Sequence, residues 1–352
     1  MKKSRIALVE IGGSHDECLL TQMHAIHKHG HDLVLITTAN VAERNPAFSN
    51  YLEEIVIVNA ENTRKALVRE VWNKLKDLKI EKVVLNTAQG KVIRDLCLKA
   101  YVHPMEFIGI IHTTRMFTES FTQKIIHRKI KKYFLLSEQL LKQVTPPKNV
   151  SIDYFYPLRF PTENRMVEKR NKVVAVIGGV EERRKDLEGF IQMIQPLRSE
   201  KIRFVFLGKS DASKPEVPGF LQRLEEEGLT EMVQTFDQFV SQEIFDATLQ
   251  NVDLILPLVH PNTPSADQYF RNQISGAMTV SFGYKIPMLM HTAYQSIAEM
   301  QPASFYYDVE SFSSILKNAL ENAESKREEM RKHLPYTTEE QERRYANFLN
   351  IT

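Results

Sequence analysis

"KVVAVIGGVEERRKDLEGF", residues 172–190, runs from an apolar stretch through two glycines into a charged turn. A short Val/Ala/Ile run closed by glycine reads as a buried strand, and the charged turn stands just before or within the start of a helix. The same Ile-Gly-Gly closes "RIALVEIGGS", residues 5–14, again after an apolar strand and before a helical stretch. Two copies of one strand–turn–helix start, in matching positions of two halves, predict two Rossmann-like units side by side. Ligands of open α/β sheets bind beyond the carboxyl ends of the strands, so both turns are candidate sites.

Working outward, apolar runs alternate with helical patterns along the whole chain, the signature of parallel α/β layers. The first half has strands at "RIALVEI", "DLVLITT", "EIVIVN", "KVVLNTA", "FIGIIH" and "YFLLS". Residues 18–29 form an amphipathic helix, with Leu19, Met23 and Ile26 on one face and Gly30 as its terminating glycine. Residues 145–171, "TPPKNVSIDYFYPLRFPTENRMVEKRN", are rich in proline and charge and read as the crossing between units. The second half restarts with "KVVAVIGG", then "RFVFLGKS", "MVQTF", "VDLILPLV" and "IPMLMH". Residues 312–333 and 337–349 read as closing helices.

The 352-residue length predicts about two domains. A 43% apolar and 26% charged composition is that of a soluble globular chain. Net charge is only +2, so affinity for an anion has to be local, and nucleic acid is not an expected partner. The two cysteines, Cys18 and Cys97, make neither a disulfide framework nor a metal ligand set. The basic N-terminus leads into an apolar run of six residues containing Glu10, which reads as a first strand, not a signal peptide. No segment has the length of a membrane span, and the expected compartment is the cytoplasm.

The second half carries the chemistry. Gly178 and Gly179 let the backbone approach a ligand, and Arg183, Arg184 and Lys185 follow with cations suited to phosphate. The alternative is a solvated basic turn balanced by Glu181 and Glu182. "FVFLGKS" repeats the theme with Gly208 and Lys209 at a strand end. "NQISGAMTVSFGYKIPML", residues 272–289, puts Ser275-Gly276 at a helix mouth, where free N–H groups and the dipole suit an anion. Three anion-compatible turns at strand ends of one unit point together to a phosphate site.

These stretches resemble the GT-B-fold glycosyltransferases, particularly the large retaining family 4, over nearly the whole chain. Residues 173–187 resemble that family's donor-diphosphate turn, and "FVFLGKS" its next strand and turn. "TFDQFVSQEIFDATLQNVDLILPLV" resembles the nucleoside-side loop, helix and strand. "SGAMTVSFGYKIPML" stands in the place of the family's "EA-small-G-x-P-V-I" helix. "EIGGSHDE" resembles the glycine loop near donor and acceptor, "KKYFLLSEQLLKQV" the step before the linker, and "GIIHTTRMF" puts His112 where many members carry an active-site histidine.

The resemblance implies an α/β GT-B fold, two Rossmann-like domains facing across a cleft, with the C-terminal helix returning to the N-terminal domain. The expected bounds are 1–155 for the acceptor domain, 156–330 for the donor domain and 331–352 for that helix. It implies a nucleotide-sugar substrate, a glycan or lipid-linked hydroxyl acceptor and no metal or other cofactor. Arg184 and Lys185 would stabilise the departing diphosphate, Gly178, Gly179, Gly208, Lys209, Ser275 and Gly276 would line the donor, and Gly12, Gly13 and Ser14 would lie on the acceptor side. His112 would bond a donor-sugar hydroxyl or act as a base. The chain departs from the family where two glutamates stand eight residues apart. Within 265–282 Asp267 is the one carboxylate. Hence a non-catalytic binding or scaffold subunit stays open, as does a nucleotide-sugar epimerase, for which no carboxylate set is evident. A two-lobed periplasmic-type binding protein is disfavoured by the missing signal peptide.

Two further signals are weighed. Five of the 11 histidines fall between residues 15 and 31, but Gly30 interrupts any shared helix face, so no metal site is expected. Residues 121–134, "FTQKIIHRKIKKYF", combine five cations with an apolar face. They read either as a core-facing helix with a solvated basic back or as a peripheral contact with an anionic membrane, which would suit a lipid-linked acceptor.

Overall fold

The computed structural model describes residues 3–158 and 172–352. The chain divides into two compact units, Met1–Leu158 with Thr337–Thr352, and Arg159–Tyr336. The first unit runs β1 (Arg5–Glu10), α1 (Leu19–Lys28), β2 (Asp32–Thr37), α2 (Ala39–Arg44), β3 (Glu54–Ile57), α3 (Arg64–Asp77) and β4 (Lys82–Leu85). It continues through α4 (Gly90–Lys99), β5 (Glu106–Ile111), α5 (Phe121–Lys129), β6 (Lys132–Leu135), α6 (Glu138–Gln143) and β7 (Ser151–Tyr154). The second unit begins with β8 (Lys172–Ile177), α7 (Leu187–Ile194), β9 (Ile202–Lys209), α8 (Glu216–Glu226), β10 (Val233–Phe236) and α9 (Gln242–Leu249). β11 (Leu254–Ile255), α10 (Ala266–Arg271), α11 (Gly276–Tyr284), β12 (Met288–His291), β13 (Ser304–Tyr307) and α12 (Phe312–Lys332) complete it. The last helix, α13 (Thr338–Leu349), belongs to the first unit.

Each unit is built on one wholly parallel sheet, ordered β3-β2-β1-β4-β5-β6-β7 in the first and β10-β9-β8-β11-β12-β13 in the second. Parallel strands are covered by helices on both faces and therefore read as continuous apolar runs. Ile6, Ala7 and Leu8 in β1 and Val174, Ala175 and Val176 in β8 are fully buried. Strand order reverses between β1 and β4 and again between β8 and β11. At such a switch point neighbouring connections leave in opposite directions and open a crevice.

Three departures from the sequence reading have local causes. Residues 151–154 lie inside the stretch read as a linker, yet they form β7, an edge strand whose short alternating "SIDY" carries no apolar run. Residues 159–171 of that stretch lie outside the described residues. β13, "SFYY", was also absent from the strand reading and is likewise a four-residue edge strand. Conversely, the long run "VDLILPLV" yields only the two residues of β11. The Leu256 amide still donates to the Ala175 carbonyl, but Pro257 has no N–H and Leu258 turns left-handed at φ 58°.

Within the first unit α13 packs along α1. Glu342, 2% exposed, pairs with Lys28 at 2.5 Å, and Tyr345 bonds Gln22 at 3.0 Å while stacking on Phe134. Lys82 and Lys132 donate to the carbonyls of Leu349 and Phe348, cations meeting the unsatisfied C-terminal end of a helix. The basic stretch 121–134 is helical only to Lys129, and Lys132 already begins β6. Three of its five cations are spent on protein carbonyls: Lys129 on His103, Lys131 on His127 and Lys132 on Phe348. Lys124 and Arg128 remain exposed, together with Phe121.

Candidate functional site

In the second unit the glycine turn is packed against the next strand. The Gly178 amide donates to the Leu207 carbonyl, extending the β8–β9 ladder past Ile177. A Cβ on Gly179 would stand 1.9 Å from the Lys209 carbonyl oxygen, and one on Gly208 2.6 Å from the Gly178 carbonyl carbon. These two glycines are therefore required by contact between two backbones. Ser210, 4% exposed, fastens the same junction by accepting from the Val180 amide at 3.1 Å. Lys209 itself points outward and is exposed.

The basic residues separate sharply. Arg183 and Arg184 are half exposed, and both pair with Glu181 at 3.3 Å, as a solvated basic turn would. Lys185 is 6% exposed, and its Nζ lies 3.2 Å from where a Cβ of Gly178 would stand. Gly178 is itself left-handed, at φ 89°. Among the described residues no hydrogen bond or ion pair satisfies that ammonium. Burial pushes its pKa down to about 8, with Arg184 and Lys214 adding to the fall and Glu181 opposing it. A buried cation without a hydrogen-bonding partner is costly and is relieved by an anion.

Asp186 follows directly and starts α7, its Oδ1 accepting from the Gly189 amide at 2.9 Å. Its Oδ2 meets His260 Nδ1 at 2.7 Å, and His260 Nε2 meets the Tyr307 hydroxyl at 2.7 Å. The His260 hydrogen bond, with those from Gly189 and Asn262, holds the Asp186 carboxyl below its usual range against the effect of burial. His260 and Tyr307 stood outside every motif in the sequence, and Asp186, inside the stretch 172–190, was given no role there. Only the proximity of Asp186 to the basic turn hinted at one of them.

Ser275 caps α11, its Oγ accepting from the Ala277 amide at 3.3 Å, and Gly276 faces open space. Because β11 and β12 are parallel, α11 runs back against them and its N-terminus lies at the carboxyl edge of the sheet. Its side packs on β8, the strand that ends in Gly178. Asp267, the remaining carboxylate of that region, is 77% exposed and pairs with Arg271 one helical turn on.

The first unit gathers a second polar cluster at its own switch point. Glu10 ends β1 fully buried and accepts from the Gly12 amide, Asn86 Nδ2 and Thr87 Oγ1 at 2.7, 2.8 and 2.7 Å. Burial pushes its pKa up against those three hydrogen bonds. Asn86 also donates to the His15 carbonyl, so the loop carrying Gly12, Gly13 and Ser14 is tied down on both sides. His112 donates from Nε2 to the Asn86 carbonyl at 2.6 Å and stacks on His15 with ring centres 3.7 Å apart. Burial, reinforced by the His15 charge, lowers the His112 pKa to about 4. It is thus neutral near pH 7, with Nδ1 left as an acceptor and only a weak base. His15 runs the other way. Burial alone would depress it, but the hydrogen bond and charge of Glu17, with Glu10 and Asp16, outweigh that and raise it. Ser14 is exposed, and no bond defines its role.

Among the described residues no group of three or more His, Cys, Asp or Glu side chains could hold a metal ion, and no helix is long and apolar enough to cross a membrane. No protein-family model matches the sequence, and no curated protein matches it significantly. Solved structures do. The Anabaena protein Alr3699/HepE, in complex with UDP-glucose, aligns with a TM-score of 0.70 at 11% identity, over 99% of this chain and 100% of that one. The fold is GT-B. A glycosyltransferase from Rickettsia africae ESF-5 aligns over the full length of both chains with a TM-score of 0.66 at 12% identity. A UDP-N-acetylglucosamine 2-epimerase gives 0.66 at 14%, over 99% of this chain and 96% of that one. At such identities the likeness speaks for architecture alone.

Proposed function

We propose that this protein is a glycosyltransferase that moves a sugar from a nucleotide-diphosphate-sugar to a hydroxyl of a glycan or glycolipid, with retention and without a metal. The observation that carries this reading is Lys185, a buried ammonium lacking a hydrogen-bonding partner beneath a left-handed glycine at a strand switch point. As the sugar–phosphate bond breaks and the sugar–acceptor bond forms, negative charge gathers on the leaving diphosphate. The acceptor's proton ends there. A cation already desolvated and held in place stabilises that charge without reorganising water. Arg184, tethered to Glu181, can swing to a second phosphate oxygen, and the Gly276 amide at the start of α11 suits another. The second unit is the donor side in this reading. Gly12, Gly13, Ser14 and His112 in the first unit serve the acceptor, His112 as a hydrogen-bond acceptor through Nδ1 and not as a base. A lipid-linked acceptor would give the exposed Phe121, Lys124 and Arg128 a membrane surface to meet.

Calorimetry with uridine, guanosine and adenosine diphosphates tests the donor site. One of them should bind, and Lys185→Ala should weaken it by ~1.5–3 kcal/mol, the scale of a lost charged hydrogen bond. Failure of all three to bind the wild-type chain would sink the reading. The exposed, surface-paired Asp267 favours one competitor, a subunit that binds the donor without turning it over. Slow hydrolysis of the bound nucleotide sugar marks an enzyme, its absence a binding subunit, and an epimerised sugar the third possibility.

A further inference from the structure

The turn that carries Lys185 is not held by its own bonds alone, from the Arg184 and Lys185 amides to the Glu181 carbonyl. It is stitched at five points to the segment after β11. The Asp186 amide donates to the Leu258 carbonyl, and Ser265 donates to the Arg183 carbonyl through both its amide and its Oγ, the latter at 2.6 Å. His260 Nδ1 and Asn262 Nδ2 reach Asp186 Oδ2 at 2.7 and 3.3 Å. The His260 contact is continued inward, to Tyr307 at the end of β13. His260 is 2% exposed and Tyr307 1%. An imidazole has a ring nitrogen for each neighbour, Nδ1 for the carboxylate and Nε2 for the hydroxyl.

Such a chain is a poor choice for stability alone. Burying three polar side chains returns little over apolar residues of the same size, and it fails badly if one member is missing. What it supplies is a fixed direction. Asp186 has one oxygen on the start of α7 and the other on His260, so the residue beside Lys185 cannot rotate. Gly189 permits this: a Cβ there would stand 2.4 Å from Asp186 Oδ2. The segment also tolerates a left-handed leucine, Leu258, at the point where its carbonyl takes the Asp186 amide.

We propose that His260 is a positioning residue: clamped between Asp186 and Tyr307, it holds the Lys185 turn in the shape that receives the donor's phosphates. The phosphate part rests on the function proposed above; the positioning part does not.

The test separates them. Lys185 acetylation by a water-soluble reagent, followed by peptide mass spectrometry across pH, reads its titration midpoint, expected near 8 in the wild type. His260→Ala should move that midpoint up by a unit or more as the turn opens to water. It should also weaken nucleoside diphosphate binding about tenfold while leaving binding of the bare nucleoside unchanged. Tyr307→Phe keeps the ring and deletes only the hydroxyl, and serves if His260→Ala does not fold. It should shift both readouts in the same directions by less. A folded variant with a lower melting temperature but an unmoved Lys185 midpoint overturns the proposal, because a merely structural histidine would do that. If the wild type binds no nucleoside diphosphate, the functional reading fails while the labelling midpoint still decides the role of His260.

Discussion

Lys185 is where stability and the proposed function pull apart. Its pKa falls from 10.5 unfolded to about 8 folded, so below pH 8 the folded chain carries the full penalty of a buried charge. Between about 8 and 10.5 the unfolded chain binds more protons than the folded one, and stability rises with pH. Lys185→Met removes the penalty and should raise stability near pH 7 by about 3 kcal/mol, read by denaturant unfolding, while abolishing diphosphate binding. In the wild type, anion affinity should fall as pH climbs through about 8, not through 10.5 as for an exposed lysine. Equal affinity at pH 7 and 9.5 would count against Lys185 as the anion's partner. At this scale the sequence was partly legible. The run of three cations was visible, but that Lys185 alone is buried follows from the left-handed turn folding over it. Glu10 was seen only as a charge interrupting an apolar strand. Its partners, Asn86 and Thr87, come from the bend after β4, over 70 residues away, and left no local pattern.

Among elements, the two glycine-bearing strand ends explain each other. Gly179 and Gly208 read naturally as glycines cleared for a phosphate, yet Gly179 faces the Lys209 backbone and Gly208 that of Gly178 and Gly179. Gly179→Ala should therefore force β8 and β9 apart and destabilise the second unit by about 3 kcal/mol. Gly276→Ala, placed in open space at the start of α11, should leave the melting temperature within a degree or two and act only on ligand affinity. Thermal unfolding of the two variants side by side distinguishes a packing glycine from an approach glycine. Central strands were legible because both of their faces are buried and the sequence has to be apolar throughout. β7 and β13 escaped because the short "SIDY" and "SFYY" carry no aliphatic run, whereas β3 and β10, edge strands too, were read. β11 was overread because an apolar run does not reveal where Pro257 breaks the ladder.

Over the whole molecule, two sheets with the same inner strand order, each bearing its polar cluster at the switch between first and fourth strands, follow from the repeated Ile-Gly-Gly. That repeat was legible without any relative. The proposed division of labour between the units was not, since donor and acceptor roles came only with the resemblance. The attachment of α13 to the first unit is testable directly. A chain ending at Tyr336 would expose the bed of Tyr345, Ala346 and Leu349, all fully buried, and leave Lys28 and Lys82 without their partners there. Hydrogen exchange should then rise in β1, α1 and β2 while β8 and β9 stay protected. Uniform loss of protection in both sheets would show that the helix supports more than the unit it packs on.

That attachment also sets a clock on biosynthesis. The first unit is begun before the second and completed by α13 after it, with the entire second unit synthesised between them. At about 5–20 residues per second, the side of α1 that will receive Tyr345 waits roughly 15–65 s for its cover. During that interval the nascent chain carries an apolar, basic-edged groove shaped for one helix. A chaperone that binds such surfaces has its opportunity then, and loses it when the final turn of α13 leaves the ribosome.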